Sequence, residues 1–326
     1  MTGFSVDQIQ AAATRIQDAV VRTPLLTSPQ LDALAGCRVF LKAESLQRTG
    51  SFKYRGALNT MLSLTAEERG RGVITYSAGN HGQAVAAAAR QMGCSATIIM
   101  PAVAPAVKVD NCRWWGAEVI LYDPATQNRA EVMQTRMEAT GAVFIAPFDD
   151  LRVMAGQGTI GLEMCRQVQD LGETFDAVLL NTSGGGLASG VTEAVKALSP
   201  QTACHIVEQA GYQKMAASLA AGVAQTIRPA PQSIMDGING PSAGVQPLDV
   251  LLRHGVTPLA VSEDQVRYAM SVAFRTLKLV LEPAGAASLA AVLANPGLFA
   301  GQRVGLVASG GNVDPDVFIG ALQAAG

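Results

Sequence analysis

The sequence predicts an α/β protein built on mostly parallel sheets with helices on both faces. Two observations carry this reading. Short β-branched runs alternate with Ala-rich helical stretches, separated by Gly or Pro, and the crossovers of such strand–helix–strand units force parallel pairing. The strand-like runs are also continuously apolar, as strands covered on both faces must be. Composition agrees: 49% of the 326 residues are apolar and 15% charged. That supplies ample material for a core and excludes intrinsic disorder.

Taken along the chain, the N-terminal stretch MTGFSVDQIQAAATRIQDAVVRTPLL sets Asp7, Arg15 and Asp18 within an apolar periodicity. It reads as an amphipathic helix and lacks the basic stretch and apolar run of a signal peptide. Val73–Tyr76 reads as a strand, followed by Ser77-Ala78-Gly79-Asn80-His81-Gly82 and a helix from Gln83. Strands at Ala96–Met100 and Glu118–Tyr122 end at Pro101 and at Asp123-Pro124. Trp114 and Trp115 read as packing residues. Ala177–Leu180 leads into Ser183-Gly184-Gly185-Gly186 and a helix starting at Leu187, and Val304–Ala308 leads into Ser309-Gly310-Gly311-Asn312. Between them, Thr226–Pro247 is rich in Pro, Gly and Ser and reads as a long irregular connection.

The formal net charge is −2, from 24 basic and 26 acidic residues, with no Lys/Arg-rich run. Nucleic acid and anionic membranes are therefore not expected partners, and no run approaches the ~20 apolar residues of a membrane span. Cys37, Cys94, Cys112, Cys165 and Cys204 are odd in number, far apart and without a C-x-x-C pair. Reduced thiols and a cytoplasmic location follow as expectations.

Parallel sheets bind ligands beyond the carboxyl ends of their strands, where the three Gly-bearing loops fall. Glycines there let backbone N–H groups approach a ligand, and a following helix adds partial positive charge. Ser183-Gly184-Gly185-Gly186 is the best phosphate cradle of the three, because a helix follows directly. It is neither G-x-x-x-x-G-K-[ST] nor G-x-G-x-x-G; alone, such a triplet serves equally as a tight turn. The fourth element is Thr49-Gly50-Ser51-Phe52-Lys53-Tyr54-Arg55-Gly56-Ala57. Its lysine, taken alone, reads as a surface cation.

Together these elements resemble the fold-type II pyridoxal phosphate enzymes, specifically the serine/threonine dehydratase and serine racemase family. The resemblance runs in order through essentially the whole chain: Arg22-Thr23-Pro24-Leu25, Lys42-Ala43-Glu44, the Lys53 motif, the Asn80 loop, Pro147-Phe148-Asp149-Asp150, Ala155-Gly156-Gln157-Gly158-Thr159, the Gly triplet, Glu282-Pro283 and the Ser309 loop. It implies two open, twisted, mostly parallel sheets flanked by helices, in a large domain from residues 1–67 and 149–326 and a smaller, substrate-closing domain from 68–148. Pyridoxal 5'-phosphate as cofactor, a small amino acid as substrate and a homodimer are implied with it.

Residue by residue, the resemblance makes Lys53 the lysine that binds the cofactor as an imine and then acts as general base. A free lysine titrates near ~10.4, so its site must lower that value. Phe52 matches the side chain packing against the cofactor ring, Asn80 the partner of its ring oxygen and Ser309 the partner of its pyridine nitrogen. Ser183, Gly184, Gly185, Gly186 and Leu187 match the phosphate loop, with Ser183 where members usually carry a fourth glycine; Glu282 belongs to the same cofactor site. Ser77, Ala78, Gly79, Asn80 and His81 match the cradle for the substrate α-carboxylate, with Ser77 and Asn80 in the catalytic set. Arg129 matches an arginine near the site mouth, open between pairing with a second substrate carboxylate and plain solvation.

A hydroxyl at Ser309 makes the ring a weaker electron sink, which favours β-elimination. Ala78 stands where racemases carry a serine acting on the opposite face of the substrate carbon, and a methyl group transfers no proton. Glu208 matches a metal-ligand carboxylate, but Lys214 replaces the acidic residue expected six positions later. Either its ammonium stands in for the cation or the two form an exposed ion pair; no metal is expected. Ala146 replaces a histidine before Pro147. The family's C-terminal regulatory domain has no counterpart after Asn312-Val313-Asp314, so feedback by an end-product amino acid is not expected. The resulting expectation is a dehydratase, formally an ammonia-lyase, for a β-hydroxy-α-amino acid: serine or threonine by default, 3-hydroxyaspartate or phenylserine through the departures. The rivals are a racemase and a catalytically silent sensor of amino acid or cofactor.

Overall fold

Ten strands form where the apolar and β-branched runs fall: β1 (Leu25–Leu26), β2 (Arg38–Lys42), β3 (Val73–Tyr76), β4 (Ala96–Pro101), β5 (Glu118–Tyr122), β6 (Val143–Phe144), β7 (Ala177–Asn181), β8 (Ala203–Gln209), β9 (Thr257–Val261) and β10 (Arg303–Val307). They are counted among residues 3–104, 106–227 and 233–324, which the computed structural model describes. Of the irregular Thr226–Pro247 connection, residues 228–232 lie outside the described residues.

One sheet has the order β1-β2-β10-β7-β8-β9 and the other β5-β4-β3-β6. All neighbours pair in parallel except β1, which runs antiparallel to β2. The last strand in sequence thus lies between the second and the seventh. Leu306 sits opposite both Leu41 and Leu179, forming a leucine row in the core layer beneath helices Glu263–Leu277 and Pro283–Ala294. The other face presents Phe40, Val178, Leu180 and Val307 to helices Leu151–Asp170 and Gly186–Leu198. Truncating one of these leucines to Ala would cost about 2–5 kcal/mol.

Helix Leu151–Asp170 approaches helix Lys53–Leu62 so closely that a Cβ on Gly156 would stand 2.6 Å from the Arg55 carbonyl oxygen. Beneath this crossing the buried Arg55 guanidinium donates to Glu44 at 2.8 and 2.9 Å and to Glu163 at 2.7 and 2.9 Å. Glu163 also accepts from the buried Lys42 at 2.6 Å. Paired carboxylates make such burial tolerable, and the cluster fixes the first turns of the helix that begins at Lys53.

Two helices start earlier than the sequence reading has them. One runs Asn80–Met92 rather than from Gln83, and the other Gly186–Leu198 rather than from Leu187. In each the preceding glycine takes the N-cap position; Gly185 does so at φ +99°, the left-handed region that glycine alone enters at no cost. Trp114 also departs from expectation. It is 68% exposed, beneath the Arg90 guanidinium, rather than packed in the core. No helix among the described residues is long and apolar enough to cross a membrane.

Candidate active site

The carboxyl ends of β3, β7 and β10 carry the three Gly-bearing loops, as a parallel sheet requires. Hydrogen bonds join the Ser309 loop to the Lys53 segment and to Asn80 of the loop after β3. Phe52 N–H donates to the Ser309 carbonyl at 3.0 Å, Ser51 and Gly310 pair as an isolated bridge, and Gly311 N–H donates to the Gly50 carbonyl at 2.9 Å. Asn312 Nδ2 donates to both the Thr49 carbonyl and Asn80 Oδ1, each at 2.8 Å. Asn80 Nδ2 in turn donates to Glu282 Oε1 at 2.6 Å. Lys53, Asn80, Glu282 and the Ser309 loop, spread from residue 53 to 312, are thereby brought together.

Lys53 opens its helix, half-buried, with Nζ donating to the Pro147 carbonyl at 2.7 Å and lying 5.2 Å from the Phe52 ring centroid. Burial brings its amine down to about 8, because desolvation disfavours the charged form. The residue following Pro147, Phe148, packs on the glycine loop. A Cβ on Gly184 would stand 2.4 Å from its ring, and one on Gly186 3.0 Å from its backbone. The next two residues are caps: Asp149 accepts from Val245 and Gln246 N–H at 3.0 Å each, and Asp150 from Arg152 N–H at 2.7 Å. Leu187 is buried in the first turn behind the loop. Ser183 is half-buried, its Oγ beside Gly240.

Ser309 Oγ is buried and accepts from Asn181 Nδ2 at 3.1 Å, while Ser288 N–H donates to Asn181 Oδ1 at 2.6 Å. Ser77 Oγ accepts from Gly79 N–H at 3.1 Å, closing the turn that holds Ala78. His81 points elsewhere: its Nε2 donates to the Ile145 carbonyl at 3.0 Å, and Nδ1 is buried with no partner among the described residues. Burial first, and the Lys53 charge second, push its imidazole down to about 3, so it is neutral. Arg129 opens helix Arg129–Thr140 with its guanidinium 4.1 Å from the ring centroid of Tyr76, the residue before Ser77. That contact places it beside the turn that begins at Ser77.

Four partners were not singled out from the sequence: Asn181, Asn312, the Pro147 carbonyl and the ion pair of Lys108 Nζ with Asp236 Oδ2 at 2.6 Å. A lone Asn closing the buried apolar strand β7 was the available signal for the first; the others depend on tertiary contacts. Glu208 and Lys214 are both fully buried, which removes the exposed-pair reading. Their charged groups are 3.6 Å apart. Glu208 accepts from Met215 and Ala216 N–H, both at 2.9 Å, and Lys214 Nζ donates to the Ile238 carbonyl at 3.0 Å. Burial pushes the carboxyl up and the amine down, each opposed by the other's charge.

These residues fit pyridoxal phosphate. The first-turn N–H groups behind Gly185 have no intrahelical acceptors and suit a phosphate. The close approach of Phe148 leaves no room for side chains at Gly184 and Gly186. A half-buried amine, an amide and a hydroxyl stand on neighbouring segments.

The profile of the "Pyridoxal-phosphate dependent enzyme" family matches residues 16–310. The chain is 39% identical over 311 residues to a serine racemase of Arabidopsis thaliana, covering 94% of this chain and 92% of that one. It is 37% identical over 320 residues to an L-threo-3-hydroxyaspartate ammonia-lyase of Pseudomonas sp, covering 98% of each. The solved structure of a T.th. threonine deaminase superposes with a TM-score of 0.89 at 42% identity, over 95% of this chain and 99% of that one. The chain therefore belongs to the pyridoxal-phosphate dependent enzyme family, as a member of fold type II with pyridoxal phosphate as its cofactor.

Proposed function

We propose that the protein is an ammonia-lyase that removes water from a β-hydroxy-α-amino acid and yields a 2-oxo acid and ammonia. One observation carries the reading. The amine of Lys53, lowered to about 8, is a competent base at neutral pH, whereas position 78, between Ser77 and Gly79, offers only a methyl group.

When bound, pyridoxal phosphate withdraws electrons from the substrate α-carbon; the protein supplies the rest. Ser183 to Leu187 would hold the phosphate and Phe52 would pack on the ring. Asn80, oriented by Glu282 and Asn312, would meet the ring oxygen. Asn181 donates into Ser309 Oγ, which leaves the Ser309 hydroxyl proton free to donate. That suits an unprotonated ring nitrogen, and elimination over reactions needing a stronger sink. The N–H groups of residues 78–81, with Ser77 and Asn80, receive the substrate carboxylate, and Lys53 takes the α-proton. The β-hydroxyl leaves as water with the proton that Lys53 has taken from the α-carbon, and the released enamine tautomerises and hydrolyses to the 2-oxo acid and ammonia. Residues 68–148 form the part that closes on the substrate and excludes solvent, against a cofactor-bearing part from 1–67 and 149–326.

Within this class, 3-hydroxyaspartate is favoured by Arg129 beside the turn at Ser77 and by the named activity of the Pseudomonas relative. The racemase reading draws on the Arabidopsis relative at similar identity and is opposed by Ala78. The test is ammonia release from serine, threonine, 3-hydroxyaspartate and phenylserine in each stereoisomer. Release that disappears in Lys53→Ala, with the fold retained, supports the lyase. Interconversion of enantiomers without ammonia replaces it by a racemase, and no turnover of any kind by a sensor.

A further inference from the structure

The buried pair at Glu208 and Lys214 has no part in the chemistry above. A divalent cation of the calcium type needs about six to eight oxygen ligands. Here both carboxylate oxygens of Glu208 accept backbone N–H groups. An ammonium fills the adjoining space, and among the described residues no group of three His, Cys, Asp or Glu side chains is placed to hold a metal. The residues do not fit a divalent ion.

They do fit a fixed internal cation. Lys214 Nζ meets the Ile238 carbonyl at 3.0 Å and Glu208 at 3.6 Å, and lies 5.3 Å from the Tyr212 ring centroid. A lysine ammonium is a compact point charge with three donors, and it draws oxygens from two separate segments as an ion would. One is the end of β8. The other is the 3-10 turn Asp236–Ile238, from which the chain runs to Gly240, whose added Cβ would stand 3.0 Å from Ser183 Oγ, and to Gly244, whose N–H donates to the Gly184 carbonyl at 2.9 Å. The neighbouring Met215 presses its Cε to 2.6 Å from where a Gly185 Cβ would be.

We propose that the Lys214 ammonium is a built-in cation that takes the place of a metal ion and, through Ile238, holds residues 235–244 against the glycine loop. Lys214 is thereby a positioning residue for the cofactor. The second half rests on the assignment of Ser183–Gly186 as the phosphate loop; the first half does not.

The experiment follows melting temperature and the rate of cofactor release, by absorbance after dilution, in chelator and in magnesium or calcium. The wild-type holoenzyme changes in neither. Lys214→Met melts roughly 5–10 °C lower, as a broken buried pair should, and releases cofactor faster, with no rescue by either cation. If Lys214→Met does not accumulate, the doubly neutral Glu208→Gln/Lys214→Met takes its place, with faster release as the expected result. A wild-type enzyme destabilised by chelator and restored by a cation overturns the built-in cation. Release at the wild-type rate from a folded Lys214 variant overturns the positioning role.

Discussion

The Nδ2 of Asn80 donates a 2.6 Å hydrogen bond to a carboxyl 202 positions away, that of Glu282. Burial first, and the Asp236 charge second, push Glu282 from 4.5 up to about 8 against the pull of Asn80 and Lys108. The native state therefore binds more protons than the unfolded chain between pH 4.5 and 8. Stability falls as pH rises through that window, by up to about 1.4 kcal/mol per pH unit, and is fullest below it. His81, with its imidazole lowered, has the opposite slope between about 3 and 6.5. It is common to both proteins in a comparison with Glu282→Gln. Melting curves across the window should show a steeper alkaline decline in the wild type than in the variant; parallel declines would mean that Glu282 is already ionised.

Lys108 and Asp236 pair at 2.6 Å between helix Ala106–Trp114, which flanks the four-stranded sheet, and the 3-10 turn beside helix Pro283–Ala294. With Asp236 61% exposed, the pair is worth at most about 1 kcal/mol in stability. Under the proposed closure of residues 68–148 on the substrate, its effect belongs in that movement. Lys108→Ala is expected to raise KM by about two- to fivefold with kcat nearly unchanged. The charge-swapped Lys108→Asp/Asp236→Lys protein should return toward the wild type. Steady-state kinetics at low and high salt decide it, and a double swap no better than the single variant would dismiss the latch.

The glycine loops were legible because each is local: a glycine cluster after an apolar strand carries its own signal, whereas Lys53, which alone reads as a surface cation, took its role only from the resemblance of the whole chain. Asn181 and Ser309 are 128 residues apart, as are Lys108 and Asp236, and no local pattern couples them. The first pair meets because β10 pairs with β7, and the second because helix Ala106–Trp114 approaches the turn Asp236–Ile238. The Glu208–Lys214 spacing was visible, but whether the pair was exposed or buried depended on the turn at Asp236–Ile238 folding over it. The two early helix starts are smaller misses with one cause, a glycine inside the strand-to-helix loop serving as N-cap.

Arg129 holds its guanidinium over the Tyr76 ring, one residue before Ser77. Stacking of this kind aims the planar fork without using its N–H donors, which stay available for a carboxylate. Arg129→Ala should raise KM for 3-hydroxyaspartate roughly 10- to 100-fold, the worth of a charge-assisted bond, and leave serine within about twofold. Parallel kinetics on the two substrates measure the difference. Equal effects on both would reduce Arg129 to a solvated residue of its helix.

Ala78 lies in the turn closed by Gly79 N–H on Ser77 Oγ, and its side chain packs on the neighbouring apolar cluster. Racemisation requires one group to remove the α-proton and another to deliver one to the opposite face. In the proposed mechanism Lys53 provides the first; a methyl group cannot provide the second. A positioned hydroxyl contributes about 10²–10⁴-fold as acid or base. Ala78→Ser is therefore expected to add enantiomer interconversion, read by chiral chromatography and by solvent deuterium at the α-carbon, while ammonia release continues. The same substitution in a Lys53→Ala background should do neither, because the first proton is then never removed. If Ala78→Ser leaves the product enantiomerically unchanged, the opposite face is not served from this turn. If wild-type protein already interconverts enantiomers, another group reaches that face and the methyl at residue 78 is not what makes this protein a lyase.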